Sequence, residues 1–489
     1  MWIGEQSMEA FGAIRGSASR TLPSLKTPFR VLLACAVGWI IWNLPPTASL
    51  STDALHFLAT LTAGVILWVS NTFDEYIVAL MLLASWVLLN IVPANVALDG
   101  FSHQSWFFVV AALGMGAAVA QLGLLRRLAT QIWARIPTTA YKTHSFLLFA
   151  SGLLITPLLP MGKARVAVAL PVSQAVAQAT GFPNHSNGSA ALALSAMIGF
   201  SHMSFMFLTG AEFCLLAWNL LPEPAKSEFG WSAWFIAALP AAIFVFLFVF
   251  FSIHLLFPLS QKDRLDMKNR AGEFRVDNLG PLSEAEWIAL AVLLATFTGW
   301  ITVPLHGIRE TWVAVLGLLA FLATGVLDKK TFKNGVDWGL VLFFGIVNSM
   351  AVVSRHLEVD RWLVTLIEPV LSTVTSGPCT FLIAVVTIVF CARFFLRKAA
   401  TAVILPLLIM PYGQAIGIHP GVVLVTILAA SECFLLAYQD GPYQIAYSST
   451  NGRAFTHRQA RKILAIKFVG TILAIALSIP YWRFIGLVQ

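Results

Sequence analysis

A lysine and a glutamate recur, in the same order and at nearly the same interval, in the two halves of this 489-residue chain. Residues 163–171 read Lys-Ala-Arg-Val-Ala-Val-Ala-Leu-Pro and residues 398–406 read Lys-Ala-Ala-Thr-Ala-Val-Ile-Leu-Pro, identical at six of nine positions. Downstream, Ala211-Glu-Phe-Cys-Leu-Leu-Ala-Trp218 is answered by Ser431-Glu-Cys-Phe-Leu-Leu-Ala-Tyr438. Lys163 and Lys398 lie 235 residues apart, and Glu212 and Glu432 lie 220 apart. All four charges stand in apolar sequence, where an uncompensated charge is expensive and an ionisable group is a functional candidate. An ammonium there can hold a carboxylate, sulfate or sulfonate. It can also be held by an internal carboxylate: Lys163 by Glu212, Lys398 by Glu432. Both uses are compatible. Two like halves, each with such a pair, are the pattern of a duplicated transporter.

Further candidates cluster around these four. Gly162 and Arg397 precede the two lysines, and only the second copy carries the extra cation, so Arg397 with Lys398 is weighted towards substrate and Lys163 towards pairing. Thr209 and Ser431 stand beside the glutamates at the helix interruptions and complete the substrate-binding set. Arg165 lines the first copy as a secondary, charge-compensating residue. His202 precedes an interruption; packing and hydrogen bonding is the commoner role for such a histidine, and proton relay the other.

These residues need a membrane-embedded frame. The chain is 58% hydrophobic and 11% charged, with a mean hydropathy of +0.80, outside the soluble globular range. Many apolar runs reach the roughly 20 residues that cross a bilayer. The expected fold class is an all-α polytopic membrane protein. The net charge of +8 comes from Lys and Arg in short loops that orient helices, so nucleic acid is not a partner. The five cysteines form no CxxC or Cys/His spacing suited to a metal. No cofactor is expected, and no HExxH, GxSG or GxGD motif supports an intramembrane enzyme.

Apolar spans run at about 29–44, 53–70, 74–93, 105–123, 232–257, 285–303, 312–327, 338–354 and 463–487. Two pairs of half-length runs, 145–180 around Pro160-Met-Gly-Lys163 and 380–415 around Leu396-Arg-Lys398, read as re-entrant hairpins. The runs 189–221 and 420–447 read as discontinuous helices, broken near Gly199–Ser204 with Thr209–Glu212 and near Ser431-Glu432 with Gln439–Pro442. The division is a cytoplasmic tail 1–28, a first repeat 29–260, a cytoplasmic linker 261–283 and a second repeat 284–489. Clusters such as Arg126/Arg127/Arg135, Lys262/Arg264/Lys268/Arg270/Arg275 and Lys329/Lys330/Lys333 mark the inside, which puts the N-terminus in the cytoplasm and makes the repeats inverted. Trp68, Trp86, Trp231, Trp234, Trp300 and Trp482 stand near span ends, as an interfacial belt does.

At these residues the chain resembles the divalent anion:sodium symporter family. Residues 98–130 (Leu-Asp-Gly-Phe-Ser … Gln-Leu-Gly-Leu-Leu-Arg-Arg-Leu-Ala), Ser204-Phe-Met-Phe-Leu-Thr-Gly-Ala211 and Gly280-Pro-Leu-Ser-Glu-Ala-Glu286 carry the likeness, which extends over roughly 50–487. The resemblance implies eleven transmembrane helices, two re-entrant hairpins, a homodimer, and a transport domain that moves as an elevator against a scaffold. It also implies Ser-Asn-Thr at each hairpin tip for sodium and substrate carboxylates. Here the tips read Met161-Gly162-Lys163 and Leu396-Arg397-Lys398. A cation near a sodium position costs several kcal/mol at ~4 Å, even at an effective dielectric near 20.

The expectation is therefore a carrier of small organic anions, dicarboxylates first, working without sodium as an exchanger, uniporter or proton-coupled carrier in a bacterial inner membrane. Sulfate or sulfonate transport, or a transport-dead anion sensor, are the alternatives. The expected partners are the anionic substrate, the lipid bilayer and a second copy of the chain.

Overall fold

The structure, a computed structural model, describes residues 26–46, 50–70, 72–124, 127, 140–261, 263–264, 281–359, 361, 362, 365, 369 and 377–489. Residues 1–25 of the tail, Arg126, Arg135 and most of the 261–283 linker, including Lys262, Lys268, Arg270 and Arg275, lie outside the described residues, and α1 takes in the last three residues of the tail.

Among the described residues the protein is helical, and seven helices are long and apolar enough to cross a membrane, with shorter apolar helices beside them. In the first half, the helices of eight residues or more are α1 (Lys26–Trp42), α2 (Thr52–Val69), α3 (Glu75–Leu88), α4 (Gln104–Leu122), α5 (Tyr141–Ile155), α6 (Gly162–Ala179), α7 (Asn187–Ser201), α8 (Glu212–Asn219) and α9 (Trp231–Leu256). The second half has α10 (Glu284–Ile301), α11 (Glu310–Ala323), α12 (Trp338–His356), α13 (Pro378–Ala392), α14 (Lys398–Ala415), α15 (Pro420–Ser431), α16 (Gly441–Ser449) and α17 (His457–Phe484).

The helix breakers act where the sequence puts them. Between α5 and α6, Pro160 and Met161 stand outside helical structure, and between α13 and α14 the chain turns at Phe394–Arg397. Each broken helix is two short helices joined by irregular backbone with one 3₁₀ turn, at Ser204–Met206 in the first and Ala437–Gln439 in the second. Such backbone survives inside a membrane protein only if its N–H and C=O groups find partners. α17 begins earlier than its apolar run predicts. Thr456 caps it, with Gln459 returning the bond to the cap, so Arg458, Arg461 and Lys462 belong to the helix and not to a loop. Arg355 and His356, just beyond the apolar span 338–354, close α12.

The packing crosses between halves. α5 and α6 pack on α7, and α13 and α14 pack on α15, each hairpin on the first half of its own broken helix. Each inner hairpin helix also packs on the second half of the other broken helix: α6 on α16 and α14 on α8. α9 lies against α17. The α5–α7 contact is close because of glycine. A Cβ on Gly199 would stand 2.3 Å from the Phe149 carbonyl oxygen, and one on Gly152 would stand 2.4 Å from the Gly199 carbonyl carbon. Small residues of this kind let helix backbones approach without a hydrophobic driving force.

The tryptophans correct the interfacial-belt expectation. All six singled out are buried within the protein. Each indole N–H donates internally: Trp68 to Glu75 O, Trp86 to Thr60 Oγ1, Trp231 to Thr209 Oγ1, Trp234 to Phe205 O, Trp300 to Glu310 O and Trp482 to Ala237 O. The rings fill interior space, and each buried indole N–H finds an acceptor within the protein.

Candidate functional site

The crossed packing brings both hairpin tips to both helix breaks. The first tip is held by Arg165, which is fully buried. Its Nε donates to Phe200 O at 2.6 Å, Nη1 to Thr156 O at 3.1 Å, to Gly210 O at 2.8 Å and to Leu159 O, and Nη2 to Ser204 Oγ at 2.9 Å. One guanidinium thus satisfies carbonyls freed at the tip and at the break of α7–α8. The Glu212 N–H adds a bond to Pro160 O at 3.2 Å. The second tip has its own buried guanidinium, Arg393, which sequence reasoning missed. It donates to Leu396 O at 2.8 Å and to Gln439 O, while Gln439 Nε2 donates back to Arg393 O at 2.9 Å. Gln439 Oε1 accepts from the N–H groups of Leu435 and Leu436, so the tip and the α15–α16 break are tied together.

The lysines have different fates. The Lys398 ammonium lies 2.6 Å from Asp440 Oδ2 and 5.5 Å from the centre of the Phe213 ring, on the face of the first broken helix. Asp440 is buried; its Oδ1 also accepts from the Tyr443 N–H at 2.8 Å, capping α16, and lies 3.1 Å from His202 Nε2. His202, fully buried, has Nδ1 3.3 Å from Met197 O and its ring against Phe434. A chain His202–Asp440–Lys398 therefore links the first broken helix, the second broken helix and the second hairpin. Lys163, in contrast, is exposed and makes no ion pair among the described residues. Its stem runs over Gly441, where a Cβ would lie 2.7 Å from Lys163 Cε. Gly162 is buried beside it; a Cβ there would meet Ser201 Oγ at 3.3 Å and Pro442 Cγ at 3.8 Å.

Neither expected Lys–Glu pair forms. Glu432 is fully buried, and its Oε1 accepts from the backbone N–H groups of Ser204 at 2.9 Å and Phe205 at 3.3 Å. Those donors belong to the 3₁₀ turn in the other half's break, so this oxygen is committed to satisfying irregular backbone. Asp440, not Glu432, faces Lys398 because α14 packs on α8 and its first residue meets the end of the second break. Glu212 opens α8 without an ion pair to Lys163, whose stem follows the side-chain-free surface of Gly441 instead.

The remaining predicted residues are placed as follows. Arg397 turns away from Lys398 and lies 3.0 Å from Glu75 Oε1 at the start of α3, an exposed contact. Thr209 is fully buried and accepts from the Trp231 indole at 3.1 Å. Ser431, also fully buried, donates to Leu428 O of its own helix at 2.8 Å. Lys467 was missed because it sits in an apolar span. It is fully buried in α17, its ammonium 3.4 Å from Glu432 O and 3.8 Å from Cys433 Sγ. The signal that could have found Asp440 and Lys467 is that of the tip lysines, a charge inside apolar sequence.

Among the described residues the tips offer one ammonium without an ion pair, on a helix N-terminus whose partial positive charge adds to it, and a second that an internal carboxylate holds. It is chemistry for an anion.

Comparison with known proteins agrees with this setting. The chain is 27% identical over 378 residues to dicarboxylate transporter 1, chloroplastic, of Arabidopsis thaliana, covering 76% of this chain and 67% of that protein. It is 25% identical over 339 residues to the putative malate transporter YflS of Bacillus subtilis, covering 68% and 70%. The fold is similar to the crystal structure of the Alcanivorax borkumensis YdaH transporter, described as having an unusual topology, with a TM-score of 0.55 and 14% identity over 96% of this chain and 100% of that one. The profile described as "Sodium:sulfate symporter transmembrane region" matches residues 26–488, and over that extent the chain belongs to this family, the divalent anion:sodium symporters.

Proposed function

We propose that this protein carries small organic dianions, dicarboxylates first, across a bacterial inner membrane without sodium coupling. The observation that carries the reading is the exposed Lys163 at the first hairpin tip, its stem against Gly441, the residue that follows Asp440, the partner of Lys398. One substrate carboxylate docks on Lys163 at the N-terminus of α6, and the other lies towards the N-terminus of α14 beside Lys398. Lysine in place of the family threonine at both tips leaves no vacancy for a metal cation there, because like charge opposes it. The relatives named as dicarboxylate and malate transporters support the substrate class. We read Arg397, Thr209 and Ser431 as outer or supporting groups and Lys163, Gly162 and Lys398 as the contact set. Arg165, Glu212, Glu432 and His202 hold the tips and breaks in register.

The matching halves are read as inverted repeats that move as an elevator in a homodimer, with the N-terminus in the cytoplasm. Sulfate is the second reading, because the family description names it. Counterflow tests both: proteoliposomes preloaded with unlabelled succinate should accumulate labelled succinate equally in sodium, potassium or choline medium. Uptake that saturates with sodium at constant ionic strength and membrane potential would refute sodium independence. Counterflow of sulfate in place of succinate would select the second reading.

A further inference from the structure

The two tip lysines would be equal anion anchors if nothing else differed, but the second is occupied by a side chain of the protein itself. Asp440 is a buried carboxylate 2.6 Å from the Lys398 ammonium, held in place by the Tyr443 N–H and by His202. The next residue, Gly441, lies against the stem of Lys163. The Asp440 carboxylate is thus in contact with the Lys398 ammonium, and its neighbour in sequence touches the other lysine. We propose that Asp440 is the residue that limits the charge of the transported anion, by acting as a tethered competitor for Lys398 and by repelling each further negative charge on the substrate.

The physical basis is proportionality. The Coulomb energy between a fixed charge and a ligand scales with the ligand's charge, so Asp440 penalises a trianion more than a dianion and a dianion more than a monoanion. Lys163 acts in the opposite sense. Of the other charges near the tips, Arg165 and Arg393 are committed to backbone carbonyls and Glu432 to the Ser204 and Phe205 N–H groups, while Glu212 opens α8 without an ion pair to Lys163. The Lys467 ammonium lies 3.4 Å from Glu432 O and 3.8 Å from Cys433 Sγ. None of them sits, as Asp440 does, on a tip ammonium.

This inference rests on the anion-carrier reading above, and the experiment separates their failures. Counterflow and thermal-shift titrations of the full-length protein would use succinate as the dianion and citrate as the trianion at a pH where both are fully ionised. If wild type moves and binds neither, the carrier reading fails. If wild type moves succinate, Asp440→Asn should raise the citrate-to-succinate preference by about tenfold or more, on the order expected for one charge at these distances. Asn also caps a helix, so the α16 start is preserved. Asp440→Glu, which keeps the charge, should keep the wild-type ratio. Lys163→Gln removes a positive charge at an exposed position and should shift the ratio the other way. Asp440→Asn that binds either anion with an unchanged ratio would overturn the proposal. So would an unchanged ratio in Lys163→Gln, which also serves if Asp440→Asn cannot be purified.

Discussion

The two hairpin tips share six of nine residues yet hold their lysines in opposite ways. At the first tip Lys163 is exposed and makes no ion pair among the described residues, and a glycine, Gly441, faces its stem. At the second, Lys398 is held by buried Asp440 and rests on Phe213. The structural guanidiniums match more closely: Arg165 and Arg393 are both buried and both spend their N–H groups on carbonyls freed where helices break. Arg165 aligns with Ala400, so the two halves meet the same backbone demand from different positions, one guanidinium on an inner hairpin helix and the other at the end of an outer one. Broken helices must have their carbonyls satisfied wherever they occur. A tip lysine's partner depends on one residue across the crossed packing, aspartate or glycine.

The largest effect should come from attacking the shared feature. Arg165→Met leaves carbonyls of Thr156, Leu159, Phe200 and Gly210 without their donor. It should cost about 4 kcal/mol or more, seen as loss of monodisperse protein or a collapsed melting temperature. Arg165→Lys, with three donors in place of the guanidinium fork, should recover only part. A stable, monodisperse Arg165→Met would break the claim that these guanidiniums are structural.

Next come the lysines, where the tips should part. Lys398→Ala strands buried Asp440 and should destabilise by roughly 3 kcal/mol, with Lys398→Ala/Asp440→Asn recovering part of the loss because removing both partners leaves no uncompensated charge. Lys163→Ala should leave the melting temperature nearly unchanged and reduce anion affinity at least tenfold. A double-mutant cycle of Lys163 with Glu212 should give coupling near zero, whereas Lys398 with Asp440 should give about 1–3 kcal/mol. Coupling of the first pair as strong as the second would erase the asymmetry.

A smaller effect tests the glycine. Gly441→Ala places a Cβ 2.7 Å from Lys163 Cε, and the flexible end of the lysine can yield. Anion affinity should fall by a few-fold with stability little altered. Smallest of all is the Arg397–Glu75 contact, with side chains 56% and 33% exposed. Arg397→Gln should change stability by about 0–1 kcal/mol, with the difference vanishing at high salt. A large loss of transport without loss of stability would instead return Arg397 to the substrate path.

Much of the architecture was legible because its causes are local. Apolar runs, prolines and glycines fix where helices form and stop, so the hairpins at 145–180 and 380–415 and both broken helices appear within a few residues of where the pattern puts them. Where boundaries moved, as at the start of α17, a capping pair outweighed the polarity of the next turn. The tryptophans were misplaced because a span-end position is shared by rings facing lipid and rings facing protein; only the acceptors within reach, such as Ala237 O for Trp482, separate the two.

The sequence by itself determined that this is a helical membrane protein with charge built into its helix breaks, and that a lysine opens the inner helix of each hairpin. It could not determine the partners. Each inner hairpin helix packs on the second half of the other broken helix, so Lys398 meets a residue 42 positions away and Lys163 meets one 278 away. Ion pairing is decided over a few ångströms, and only the crossed packing of α6 with α16 and α14 with α8 set those distances. It gave Lys398 an aspartate, committed Glu432 to the backbone, and left Lys163 free.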